Sequence, residues 1–150
     1  MNEEPSIENT PEPALANNGF WPDIDPHQPP ASHSRGVDIF SNHLLLTNAL
    51  MEAMTLVNAA LMPWQAEKEQ AGYSTLSAVP VPLWQDESVF KCLYFRALFS
   101  AGFAKLLEAF PDTDTSPLNI DSTKAADSYW RDATWAVGEL LGEQVELLVT

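Results

Sequence analysis

The sequence predicts an all-α fold: a small bundle of about three main helices, with an extended N-terminal arm and a short strand-like C-terminal tail. Three observations carry that expectation. Apolar residues recur at helical spacing over three long stretches, 38–70, 87–110 and 123–142. Gly72 and Gly142 stand where two of those patterns stop, and Pro80 and Pro82 stiffen a connection between them. The only strand-like run is VELLVT at the end, with no second strong strand to pair with. The expected divisions are an arm over 1–36, a helical domain over 37–142 and a tail over 143–150.

The arm holds seven of the twelve prolines, six acids and one base, Arg35. Proline at that density removes backbone donors and blocks helix, so the arm is expected to be extended and separate from the core. The first helix follows, marked by Ile39, His43, Leu46, Leu50, Met54, Val57 and Leu61, with Asp38 or Ser41 as its cap. Pro63 predicts a kink or break, and Gly72 a stop. Asp86 or Ser88 opens the second helix, whose apolar residues cover nearly its whole circumference. Two neighbouring helices do not suffice to cover such a cylinder, so the surplus predicts contact with another subunit. Asp121 or Ser122 caps the third helix, with Ala126, Tyr129, Ala133, Val137 and Leu140 facing inward.

Composition excludes several functions. Seven Lys and Arg against 21 Asp and Glu give a net charge of −14 and a pI near 4.2, which opposes tight binding of a phosphate backbone. Transient contact with DNA in a non-stick channel is still compatible. Cys92 is the only cysteine, so no disulfide forms within one chain, and the apolar surroundings predict inert burial. The N-terminus has neither the basic start nor the apolar run of a signal peptide. Charges at Lys91, Arg96, Lys105 and Glu108 interrupt the region around 89–110 and argue against a membrane span there.

No constellation points to catalysis, a cofactor or a metal. DTDTSPLNIDST places Asp112, Asp114 and Ser116 at alternate positions, as in a calcium loop. Pro117 and Thr123 then stand where that loop needs glycine and a bidentate glutamate. His27, His33 and His43 lack ligand spacing, and His43 is expected to be a hydrogen-bonded core histidine. Asp23 and Asp25 are paired acids on an arm that offers no walled site of its own.

NGFWPDID, residues 18–25, is the odd stretch, because polar tails normally lack large aromatics. Two readings compete. Phe20 and Trp21 fold back onto the chain's own core, or they anchor the arm in a neighbour's pocket, as tryptophan does at interface hot spots. The sequence reading favours the anchor, with Pro22 pre-stiffening the peptide and Asn17-Asn18-Gly19 turning it. Phe20, Trp21, Pro22 and Ile24 then dock, while Asp23 and Asp25 pair with basic groups. The tail, through Val145, Leu147 and Val149, is expected to add a strand to a partner.

GFWPDID resembles the head-completion (head-stabilisation) proteins of contractile-tailed temperate phages of the peduovirus type. The resemblance continues through NALMEAMTLVNAALMPW and AEKEQAGYSTLSAVPVP. It resumes at YWRDATWAVGELLG, with Arg131, Asp132 and Trp135, and ends in the apolar VEL tail. It covers most of residues 18–150, and residues 1–17 lie outside it. It implies a virion structural protein, not an enzyme, at the capsid–tail junction, assembled in the host cytoplasm. Its partners would be further copies in a ring, often of twelve, the portal, a tail terminator or tail-completion protein, and passing DNA. A rival from another class is an acidic DNA mimic that inhibits a host nucleic-acid enzyme, supported by charge alone.

Overall fold

The structure, a computed structural model, describes residues 14–40, 42–86 and 88–142. Four helices follow one another: α1 (Ser34–Ile39), α2 (His43–Gln70), α3 (Val89–Ala109) and α4 (Ser122–Leu141). Among the described residues there is no strand, only one antiparallel bridge between Leu15 and Ile24. The expected strand-like tail lies outside the described residues.

Local chemistry sets the helix ends. The Asn42 side chain accepts from the Leu45 N–H and caps α2. The expected start at Asp38 or Ser41 is thereby corrected: α1 is a separate short helix, and α2 begins after it. At the far end, Gly72 has φ +104, and Gly72 N–H and Tyr73 N–H donate to Glu69 and Lys68 carbonyls. That is the double bond of a Schellman stop, which needs a left-handed residue at this point. Asp121 accepts from Lys124 N–H and caps α4, and Gly142 ends it, both as the sequence predicts.

Pro63 neither breaks nor ends α2, which runs on for two further turns to Gln70. The reason is tertiary. Trp64 and Gln65, just past the proline, are buried, and Trp64 packs on Phe20, Trp21 and Phe90. Burial of that indole offsets the roughly 3 kcal/mol that an interior proline costs a helix.

α3 is the central helix. It packs most extensively on α4 and next on α2, which scarcely touch each other and so flank it. Every residue from Ala97 to Ala104 is buried, including Ser100 and Gly102. A Cβ at Gly102 would press on Leu50 of α2, so the missing side chain permits a close helix approach. The middle of the helix is covered by the chain itself, with α1 and the N-terminal segment as additional layers, while Val89, Phe90, Leu93 and Phe95 are only half-buried and Phe110 is exposed.

That segment is the largest departure from the expected boundary at residue 36. From residue 14 onward it lies on the bundle: Phe20, Trp21, Ile24 and His33 are buried, and Leu76 N–H donates to the Phe20 carbonyl. By length and composition α2 is apolar enough to cross a membrane. Here its Leu46, Leu50, Val57 and Leu61 row lines the core, while Leu44, Met51 and Met62 are exposed.

Candidate interaction site

The segment around Trp21 is held by two asparagines. Asn17 donates from Nδ2 to the Pro22 carbonyl at 2.9 Å and to Tyr94 Oη at 2.8 Å, and its Oδ1 accepts from Asn58 Nδ2 at 2.9 Å. Tyr94 Oη donates in turn to Asn58 Oδ1 at 2.6 Å. One side chain thus ties the segment to α2 and α3. Asn18 Oδ1 accepts from the N–H groups of Phe20 and Trp21, and its Nδ2 donates to Gln65 Oε1. Gly19, at φ +92, permits the reversal between them. Residues that read as a mere turn are also the clamp.

Trp21 fills the slot between α2 and α3. Its ring lies nearly parallel to Tyr94, with centroids 4.4 Å apart, and stacks on Trp64 at 5.6 Å. Phe20 meets Trp21 edge-on at 5.0 Å. Among the described residues the buried indole N–H of Trp21 has no acceptor, a penalty of about 1–3 kcal/mol that stacking and apolar burial must exceed. Burial also pushes the Tyr94 hydroxyl up to about 12, despite its bonds with Asn17 and Asn58.

The predicted docking residues are corrected accordingly. Phe20, Trp21 and Ile24 have their apolar faces already occupied within the chain, so they are not a free plug. The physical reason is that Trp64 and Tyr94 of the same chain supply the ring partners of Phe20 and Trp21. Pro22 is half-buried; Asp23 is exposed and accepts from Asn17 N–H; Asp25 is half-buried and accepts from His27 N–H. Val145, Leu147 and Val149 lie outside the described residues.

Beside this cluster opens a cleft of about 620 Å³, walled by the segment, the α2–α3 connection and the first turn of α3. Trp21, Pro22, Asp23, Leu76, Phe90 and Lys91 contribute to its lining. The connection that leaves one wall at Ser77 and returns at Ser88 carries Leu83 and Trp84. Their exposures of 103% and 81% are the highest among the large apolar side chains described.

A second cluster lies across α3. His33 Nε2 sits 2.6 Å from Ser100 Oγ, which donates to Asp132 Oδ2 at 2.6 Å. Since the Ser100 hydrogen goes to Asp132, His33 Nε2 is the donor to Ser100, a tautomer assigned from the network. Arg96 completes it through Nη2 at 2.6 Å and Nε at 2.8 Å to Asp132 Oδ1, and stacks over Trp135. Burial alone would raise the Asp132 carboxyl. Bonds from His33, Arg96 and Ser100, with the Arg96 charge, instead hold it well below the usual carboxylate range.

Serine, histidine and aspartate meet here, but the order is wrong for a nucleophile: serine bonds to the acid, and Ser100 is fully buried. The cluster pins the N-terminal segment to α3 and α4. Sequence reasoning placed His33 on the arm and missed this role. Its available signal was Ser100, a hydroxyl in the middle of an otherwise apolar run.

The remaining expectations divide. His43 is half-buried, not core, and pairs with His27 at 2.9 Å with stacked rings. Cys92 is exposed, on the first turns of α3, where Tyr94 is the one buried residue before Ala97. The acids of the 112–123 loop turn to backbone: Asp114 accepts from Ser116 N–H, and Asp121 caps α4.

A model of the phage head completion protein (GPL) family matches residues 15–148. The head completion/stabilization protein of Escherichia phage P2 is 31% identical over 138 residues, which are 88% of this chain and 79% of that protein. No solved structure matches the chain.

Proposed function

The chain belongs to the phage head completion protein family, and from that premise we propose that it is a virion structural protein bridging capsid and tail. In this reading it binds the portal after DNA packaging, extends the DNA channel and presents the surface to which the tail attaches. The observation that carries the reading is the family match over residues 15–148, which takes in the N-terminal clamp, the bundle and the α2–α3 connection.

The physical chemistry is compatible. A net charge of −14 suits a wall past which DNA slides without being gripped. The Ser–His–Asp cluster, with its serine bonded to the acid and fully buried, fits a structural role. The DNA-mimic reading has no observation beyond charge in its favour.

A ring of copies, twelve to match the portal, is part of the proposal. The chain itself covers the middle of α3, so of that helix's apolar girth only the half-buried Leu93 and Phe95 and the exposed Phe110 are left to support it. Strand addition through Val145, Leu147 and Val149, to the portal or a tail-completion protein, is also carried as a proposal. Pro22 and Asp23, on the cleft wall, are the docking-segment residues still placed to meet a partner.

The test is the mass of the purified full chain, alone and then mixed with portal rings. We expect a stoichiometric complex with the portal that the chain does not form alone. A protein that ignores portal rings would sink the reading.

A further inference from the structure

We propose that Leu83 and Trp84 are the principal anchor of this chain in a partner protein of the head, entering an apolar pocket rimmed by basic groups. That the partner belongs to the head rests on the function proposed above; that these residues anchor something rests on the structure.

Large apolar side chains scattered singly on a surface need no explanation, but this pair is different. The two are adjacent in sequence and stand out from the body at 103% and 81% exposure. The backbone that carries them is stiffened. Pro80 and Pro82 fix their own φ, Gln85 N–H donates to the Pro82 carbonyl at 3.0 Å, and Asp86 Oδ1 accepts from Ser88 N–H and Oγ at 2.9 and 2.7 Å. A tryptophan presented on a pre-ordered turn loses little entropy on docking, which is the property of an interface anchor.

Charge selects the occupant. Asp86 follows the pair after one residue, and its bonds from Ser88 favour the carboxylate. Glu87 adjoins it in sequence, and the whole chain is strongly acidic. An anionic membrane repels such a tip, and a second copy of the chain, with seven Lys and Arg against 21 Asp and Glu, is a poor source of a cationic rim. A protein pocket with apolar walls and a cationic rim accepts both the indole and the acid beside it. The cleft that has Pro22 and Asp23 on its wall is lined by Ser77 and Ser88, the residues between which the connection runs.

The test uses DNA-filled heads assembled without this protein, mixed with the purified full chain and sedimented to measure what is bound. Wild type is compared with Leu83→Ala/Trp84→Ala and with Asp86→Asn, which keeps an acceptor for Ser88 but removes the charge. The double variant is expected to bind about thirtyfold more weakly or worse, with its thermal unfolding unchanged. Asp86→Asn is expected to bind a few-fold more weakly, with a flatter dependence on salt.

Equal binding by wild type and double variant overturns the anchor. So does a double variant that changes the oligomeric mass of the free protein, which would make a second copy the occupant. Binding of wild type, but not the variant, to vesicles of anionic phospholipid would hand the tip to a membrane and likewise overturn it. Wild type that fails to join heads overturns the function reading first, and the anchor's partner with it.

Discussion

GFWPDID and VPVPLWQD each set a tryptophan beside a second large apolar residue, with proline and aspartate close by, yet Trp21 is 2% exposed and Trp84 81%. The difference lies in what the rest of the chain holds opposite each. Trp21 meets Trp64 and Tyr94 across a slot between α2 and α3, and Asn17 and Asn18 satisfy the backbone that brings it there. With that slot filled by the N-terminal segment, the connection runs outside it and leaves Leu83 and Trp84 exposed. Its prolines also lack the N–H groups that would tie it down. Burial of a tryptophan is decided by a vacancy elsewhere in the fold, not by the residues beside it.

The sharpest way to break this contrast is Trp21→Ala. It removes the centre of a four-ring cluster, and a loss of about 3–5 kcal/mol is expected in urea unfolding. A loss under about 1 kcal/mol would mean that the slot collapses readily and that the segment is only loosely attached.

Tyr94→Phe probes the clamp and not the plug. Without the hydroxyl, Asn58 Oδ1 loses its donor from Tyr94, and a loss of about 1–2 kcal/mol is expected. The pH dependence sharpens the test. Burial raises the folded hydroxyl from an ordinary 10.0 to about 12, so the folded state holds this proton more tightly than the unfolded state. The stabilisation is fully present below pH 10 and is lost as pH rises through about 12. Denaturation midpoints across that range should fall less steeply in Tyr94→Phe than in wild type. Equal slopes would show that Tyr94 is solvated in the folded protein.

The smallest effect is expected at the other tryptophan. Trp84→Ala removes a side chain that touches little of the bundle, so stability should change by no more than about 0.5 kcal/mol. A thermal shift as large as that of Trp21→Ala would show that the connection folds onto the body in solution, and would erase the contrast.

Much of the helical framework was legible. The stop at Gly72, the cap at Asp121 and the inward row of α4 follow from hydrogen bonding and spacing within a few residues of each position. At the candidate site the residues were legible and their burial was not. The sequence holds two places where tryptophan stands beside proline and acid, and of the two tryptophans only Trp84 is uncovered. Pro63 illustrates the same limit, since its local cost is real and the packing of Trp64 overrides it. His33 and Ser100 lie 67 positions apart, so no spacing rule connects them.

By itself, the sequence determined the class of the fold, the positions of its long helices apart from the start of α2, and the acidity that sets which partners are tolerated. Those properties come from periodicity, capping and composition, which act locally or by simple sum. Only the tertiary structure decided that residues 14–36 belong to the bundle, that the middle of α3 is covered by its own chain and that Leu83 and Trp84 stand free. Each of those outcomes depends on which surfaces remain uncovered once distant segments have packed, and the hydrophobic effect that drives the packing carries no record of order along the chain.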